Sequence, residues 1–474
     1  GAMFERIERD ADRGAPVPVW RGELYFEMHR GTLTSQLNTK LGNRRCERLL
    51  VEAELWAATL GRSADVDELW KRTLTQQFHD ILPGASIAWV HRDAERILGE
   101  VEAEAEARIA GLLAELAGAT TAVANRGDVA VDEVVTLDLG GADIGGPVQR
   151  LADGTTAFRA SVPAMAVAPV EALAVDDRVV LSDTSMTNGH LAVRWDAHGN
   201  ITSIIDLADA REIVPEGAVA AALEIAVDHP VEYDAWDVES WTVDSGTSLT
   251  GGDGGSVDVV DAGPLVGRVR VQRAFGPSTA VTTYELRAGS RQLDVHVEHD
   301  WHHDEHLLSM VFPLDVRADV AMCDVQFGVV PRPTHPSSPW DAAKFEVCAH
   351  RFVDVAEPDF GVAILNNGRF GHGVFDGRVR VSLARAAQFP DPLADRGRHT
   401  VSLAVRPHGP GLADVRDAAS RLNHPLRVVG PSGTSTASSP RPVVEVTSEP
   451  SGVEVDAVKL ADDGSGDLIV RLHE

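Results

Sequence analysis

Two side chains able to do chemistry stand side by side in Gln77-Phe78-His79-Asp80-Ile81-Leu82-Pro83-Gly84-Ala85-Ser86. A neutral imidazole is a good zinc ligand, and a neighbouring carboxylate can orient substrate hydroxyls or tune the metal. Leu74, Phe78 and Ile81 fall in helical phase, which leaves His79 and Asp80 off the packed face in a last turn. Pro83-Gly84 then forces the chain to change direction. A surface His-Asp pair closing a helix would look the same, so the dipeptide alone assigns no role.

A second polar stretch, His29-Arg30-Gly31-Thr32-Leu33-Thr34-Ser35-Gln36, follows Glu23-Leu24-Tyr25-Phe26-Glu27 and precedes the first helical pattern. It reads equally as a cleft-lining loop or as an ordinary connection with a capping hydroxyl. His302-His303-Asp304-Glu305-His306 resembles a metal tract, but strand alternation would point residues 302, 304 and 306 away from 303 and 305. A turn between strands explains it better. His91-Arg92-Asp93 lies inside a helical pattern.

The elements that must position these residues fall into two textures. Between 41 and 116 three amphipathic patterns follow one another: Cys46 to Leu60 ending at Gly61, Val66 to Ile81, and a long stripe from Ile87 to Leu116 with Ser86 as its N-cap. Short connections predict an antiparallel three-helix bundle. Beyond it come alternating runs rich in Val, Ile and Thr, at 134–139, 191–196, 201–207, 222–228, 267–273, 280–287, 292–299, 306–316, 345–353, 361–365, 377–384 and 400–405. These predict a large, mostly antiparallel β-sandwich region. The fold class is therefore α+β and multidomain. The expected division is a tail over 1–20, the bundle over 21–118, a small β domain over 119–180, the sandwich over 181–429, and a linker with an incomplete terminal β unit over 430–474.

The 474 residues suit roughly three domains. A formal charge of −29 argues against nucleic acid or an anionic membrane as partner. No apolar run approaches the ~20 residues that span a bilayer. Three cysteines make no disulfide framework, which favours a reducing, cytoplasmic location. Gly1-Ala2-Met3-Phe4 resembles a protease-cleavage scar, so the native start is expected elsewhere and secretion stays open.

His29-Arg30-Gly31-Thr32 and Gln77-Phe78-His79-Asp80-Ile81-Leu82-Pro83-Gly84, at this separation and ahead of an all-β half, resemble the middle domain of the glycoside hydrolase family 38 α-mannosidases. The likeness continues through Trp236-Asp237, Arg332-Pro333-Thr334-His335, Phe345-Glu346-Val347-Cys348-Ala349-His350 and the stretch from Pro390 to His399. Leu33 stands where a tyrosine is usual, and His335 to Pro339 is richer in proline than the family pattern.

The resemblance implies a retaining, zinc-dependent enzyme that removes terminal α-linked mannose. Retention needs two carboxyl groups about 5–5.5 Å apart, and by the resemblance both belong to an N-terminal catalytic domain not expected in this chain. His79 would supply one zinc ligand, Asp80 would bind mannose hydroxyls, and Arg385 would add a rim contact. The Trp236 ring could stack on a sugar or simply fill an interface. The expected partners are the catalytic domain and mannosides, with self-association through an apolar docking face. Alone, the chain is expected to be inactive and to hold no zinc. The alternatives are a free-standing carbohydrate-binding or structural module, or one chain of a split enzyme.

Overall fold

The computed structural model describes residues 1–117, 120–251, 255–431, 444–445 and 452–474. Four helices open the chain: α1 (Ala2–Asp12), α2 (Leu37–Thr59), α3 (Asp67–Gln76) and α4 (Ala88–Leu116). Helix α1 buries none of its side chains. Helices α2, α3 and α4 pack on one another around Leu50, Trp56, Leu69, Leu98, Val101 and Ile109. None of the described helices is long and apolar enough to cross a membrane.

Two helix ends differ from the sequence expectation, for identifiable reasons. Helix α2 starts at Leu37, well ahead of its apolar stripe, because Asp395 from the β region accepts the backbone N–H groups of Gln36 and Leu37 at 2.9 and 2.6 Å. Those are orphan donors that a carboxylate satisfies with charge. Helix α3 stops at Gln76, so His79 and Asp80 lie beyond it in a run of tight turns, not in a last helical turn. Its buried face is Leu69, Thr73 and Gln76, while Leu74 and Phe78 are 54% and 55% exposed. Pro83 disfavours helical geometry at Leu82. Ser86 is not the cap of α4 either; that place belongs to Ile87.

Two large antiparallel sheets follow. The six-stranded sheet includes Ala222–Val227, His306–Pro313 and Arg378–Arg385. The nine-stranded sheet includes Val266–Phe275, Ser278–Arg287, Leu293–Trp301, Gly397–His408 and Gly361–Asn366. Met310, Phe312 and Val381 of the first share one core with Val295, Leu403 and Ile364 of the second. Leu37, the first residue of α2, is buried in that same core. The helical and β regions are thus joined by apolar packing at the point where Asp395 caps the helix.

Arg427–Val429, at the end of the expected sandwich stretch, pairs instead with Ala122–Asn125, which also pairs with Ala166–Pro169. The chain returns to the small β region before its last segment. A helix over Ala413–Asn423, absent from the sequence expectation although Val415, Ala418, Ala419 and Leu422 fall at helical spacing, packs on Gly361–Asn366. Most of the expected linker, 432–441, lies outside the described residues. The terminal hairpin Glu454–Leu460 and Leu468–His473 packs on α2.

Several core imidazoles are held neutral by burial: His91 and His399 are lowered to about 4 and His372 to about 3, from 6.5. A depressed histidine pKa means the unfolded chain binds the proton more readily. Stability is therefore full above pH 6.5 and is lost as pH falls through about 4. Melting temperature against pH should drop steeply across that window, and a flat profile would contradict the burial.

Candidate functional site

The 29–36 loop is held from both sides. Arg30 is 8% exposed; its Nε donates to the Tyr25 hydroxyl and to Ala343 O, both at 3.2 Å, and its guanidinium lies 4.5 Å over the Phe345 ring. An ion pair to Asp237 at 3.4 Å completes its contacts to the β region. Gly31 N–H donates to Trp236 O at 2.8 Å. A Cβ at Gly31 would come within 2.0 Å of Arg385 Nη1 and 2.9 Å of Asp237 O, so only glycine permits this approach. Ser35 Oγ donates to Ala235 O at 2.9 Å and accepts from Arg385 Nη1 at 3.2 Å.

Arg385 itself has no exposed surface. Its Nε donates to Asp228 Oδ2 at 2.7 Å, and Asp234 Oδ1 lies 3.9 Å from Nη2. Burial raises the Asp228 pKa, and the guanidinium opposes that rise. Expected at the rim, Arg385 stands beneath the loop it supports.

The turn carrying His79 and Asp80 is pinned by Lys40, from the first turn of α2. Lys40 Nζ donates to Leu82 O at 2.9 Å, to Pro83 O at 3.0 Å, and to Ser35 O. Three carbonyls match the three protons of an ammonium. Gly84 adopts φ +89°, and a Cβ there would lie 2.4 Å from Ser35 O, so the turn sits directly on the 29–36 loop. Ser86 Oγ donates to Asp80 O at 2.8 Å. Ser86 N–H donates to His91 Nε2 at 3.2 Å, which leaves the His91 proton on Nδ1, facing Thr39 Oγ1 at 3.4 Å.

Burial works against the charges at this junction. It pushes Lys40 down to about 7, opposed mainly by Asp395, and pushes Asp395 up to about 6, opposed by the Leu37 and Gln36 amides and then by Lys40. The hydrogen bonds on each group favour its ionised form.

His79 and Asp80 are presented outward, their side chains 77% and 49% exposed, with Nε2 3.4 Å from Oδ2. The His79 ring sits 4.2 Å from that of Phe78. Among the described residues no three His, Cys, Asp or Glu side chains converge on a point that could hold a metal. The donor set near His79 is therefore incomplete for zinc, which takes three or four protein ligands.

The structure brings four separated segments together: 29–36, 77–86, 234–237 and 388–395. Gln36 Nε2 donates to Asp391 Oδ2 at 2.8 Å, and Phe389 N–H donates to Asp234 Oδ2 at 3.0 Å. Phe78, Ile87, Trp89, Tyr233, Phe389 and Leu393, on or beside these segments, are each at least half exposed. His302 to Glu305 form a turn between two strands. Sequence reasoning gave no role to Lys40, Asp395 or Asp391.

Two family models match the chain: "Alpha mannosidase middle domain" over residues 27–116, and "Glycosyl hydrolases family 38 C-terminal domain" over 186–393. Alpha-mannosidase 2C1 of Mus musculus is 31% identical over 475 residues, covering 94% of this chain and 45% of its own length. The Homo sapiens protein of that name is 31% identical over 500 residues, covering 100% and 46%. The chain thus spans less than half the length of these relatives. A glycosyl hydrolase family 38 protein from Enterococcus faecalis superposes with a TM-score of 0.77 at 16% identity, over 99% of this chain and 67% of that one. That likeness establishes the fold.

Lys40→Met would leave the Leu82 and Pro83 carbonyls without their donor and should cost about 2–3 kcal/mol in denaturant unfolding. Asp80→Ala, on an exposed side chain, should change stability by less than about 0.5 kcal/mol. Equal losses for the two variants would show that the turn is not pinned through Lys40.

Proposed function

Because this chain belongs to glycosyl hydrolase family 38 by its middle and C-terminal domains, we propose that it forms part of a retaining, zinc-dependent α-mannosidase. In this reading α2 to α4 are the three-helix bundle of the middle domain, with the small β domain, the sandwich and the terminal hairpin following as distinct units. His79 supplies one zinc ligand, and Asp80 accepts hydrogen bonds from hydroxyls of a terminal mannose. Arg385 is a positioning residue that holds the 29–36 loop beneath them. The carrying observation is the outward presentation of His79 and Asp80 on a turn locked to that loop by Lys40 and Gly84.

Zinc in the working enzyme would polarise the sugar hydroxyls it binds, and its remaining ligands, the nucleophile and the acid/base would come from segments outside this sequence. The exposed apolar side chains around His79 suit a protein partner of that kind, since such patches mark interaction surfaces. The partner is the catalytic domain, and the substrates are mannosides. With one imidazole on offer, the chain by itself binds zinc weakly and does not turn over. Free cysteines at 46, 323 and 348 fit a reducing cytoplasm.

Two measurements test this. In a protein joining this chain to a family catalytic domain, His79→Ala should lower kcat/KM on an aryl α-mannoside by about 100-fold or more. The chain alone should show no tight one-to-one zinc site by calorimetry. A tight site abolished by His79→Ala, or metal-dependent turnover by the chain alone, would overturn the reading.

A further inference from the structure

Between α1 and the 29–36 loop the chain forms a strap across the β region. Of residues 13–29 only Glu23 and Tyr25 are half-buried, and the rest are exposed. Both inward side chains are anchored. Glu23 accepts from Arg332 Nη2 at 2.7 Å and Nε at 3.1 Å, and that guanidinium is buried. The Tyr25 hydroxyl donates to Glu346 O at 2.5 Å. Trp20 Nε1 donates to Glu23 O at 3.0 Å, which ties the indole to the anchored segment. The strap is therefore held in one path, and its exposure is not that of a loose tail.

What the strap presents outward is apolar. Leu24 is 82% exposed, and Val19, Trp20 and Phe26 are each more than half exposed. The β region adds Trp340, 64% exposed, from the short helix Pro339–Ala342, where Ser338 Oγ accepts from Asp341 N–H at 3.2 Å as the cap. The two indoles meet edge to face with their centroids 5.7 Å apart. An apolar patch on an ordered surface marks an interaction site, and tryptophan is among the residues that contribute most to binding at such sites. The chain's −29 charge disfavours an anionic membrane as the occupant.

Three observations choose that occupant. Residues 13–26 lie ahead of the middle-domain match, which begins at residue 27, and so belong to neither matched domain, whereas Trp340 lies inside the C-terminal match. The chain covers less than half of its curated relatives' length, so most of their sequence lies outside it. The patch also runs into the candidate site: the Phe26 ring lies 4.4 Å from that of His29, which opens the loop carrying the His79 turn. A partner that brings further metal ligands to His79 must cover that loop, and the strap is the loop's continuation. Resting on the α-mannosidase reading above, we propose that the Trp20–Trp340 patch is a seat for the catalytic domain. Through Trp340 the β region then holds that domain directly.

Hydrogen exchange on this chain and on the protein joining it to a family catalytic domain tests the seat. Residues 16–28 and 338–343 should exchange at least about tenfold more slowly in the joined protein. Trp340→Ala should leave the melting temperature of the chain alone within about 2 °C. In the joined enzyme it should shorten the thermal-inactivation half-life by about tenfold, with the initial kcat/KM on an aryl α-mannoside within about twofold of the unaltered value. Equal exchange in the two proteins, or equal destabilisation of both by Trp340→Ala, would overturn the proposal. So would a dimer of the chain alone that protects residues 16–28 and that Trp340→Ala dissolves, because the face would then meet a second copy. Protection of the patch in a joined protein that turns nothing over would keep the seat and sink the α-mannosidase reading. Turnover sensitive to His79→Ala beside an unprotected strap would do the reverse.

Discussion

The Asp395 carboxylate, contributed by the β region, accepts the first two amides of α2, at Gln36 and Leu37. Much of the architecture follows from that contact. It fixes where α2 begins, places Leu37 in the core between the two large sheets, and sets Lys40 one turn later beside the 77–86 segment. Charge-assisted capping is worth about 1–2 kcal/mol at most helix ends. Here it joins two regions distant in sequence. Burial opposes the ionised carboxylate, and Lys40 works in its favour, so the cap and the turn-holding ammonium support each other.

Around this junction the chain uses buried charge for shape. Arg30 on Asp237 and the Phe345 ring, and Arg332 on Glu23, each tie a loop of the helical half to the β half, and Arg385, held by Asp228 within the β half, reaches Ser35 Oγ of the 29–36 loop. Removing one partner from such pairs strands a charge in a poor dielectric, which costs about 3–5 kcal/mol. The loops are therefore held in one arrangement, with His79 and Asp80 free at its surface. A rigid base beneath exposed groups is what a contributed ligand needs.

How far this was legible in the sequence depends on the range of the interaction. The strand Val266–Phe275, the strand Ser278–Arg287 and the body of α4 follow local periodicity, and their positions could be read directly. Helix α2 keeps its stripe but starts earlier than the stripe implies, because its cap lies more than 350 positions away. Leu74 and Phe78 keep helical phase with Val66, yet they face outward, since the buried side of α3 is set by Leu69, Thr73 and Gln76 against its neighbours. Periodicity locates an apolar face without saying which surface it will meet. His79 and Asp80 were legible as a motif, whereas Lys40 and Asp395, which position them, carry meaning only once the two halves are in contact.

The central claim is that the β-region carboxylate sets the geometry of the His79 turn through α2. Hydrogen–deuterium exchange on Asp395→Ala tests it most directly. Exchange should quicken both in the first turn of α2 and across residues 78–86, with the strand Gly397–His408 of the nine-stranded sheet retaining its protection. Faster exchange confined to α2, with the 78–86 turn as protected as before, would contradict the account.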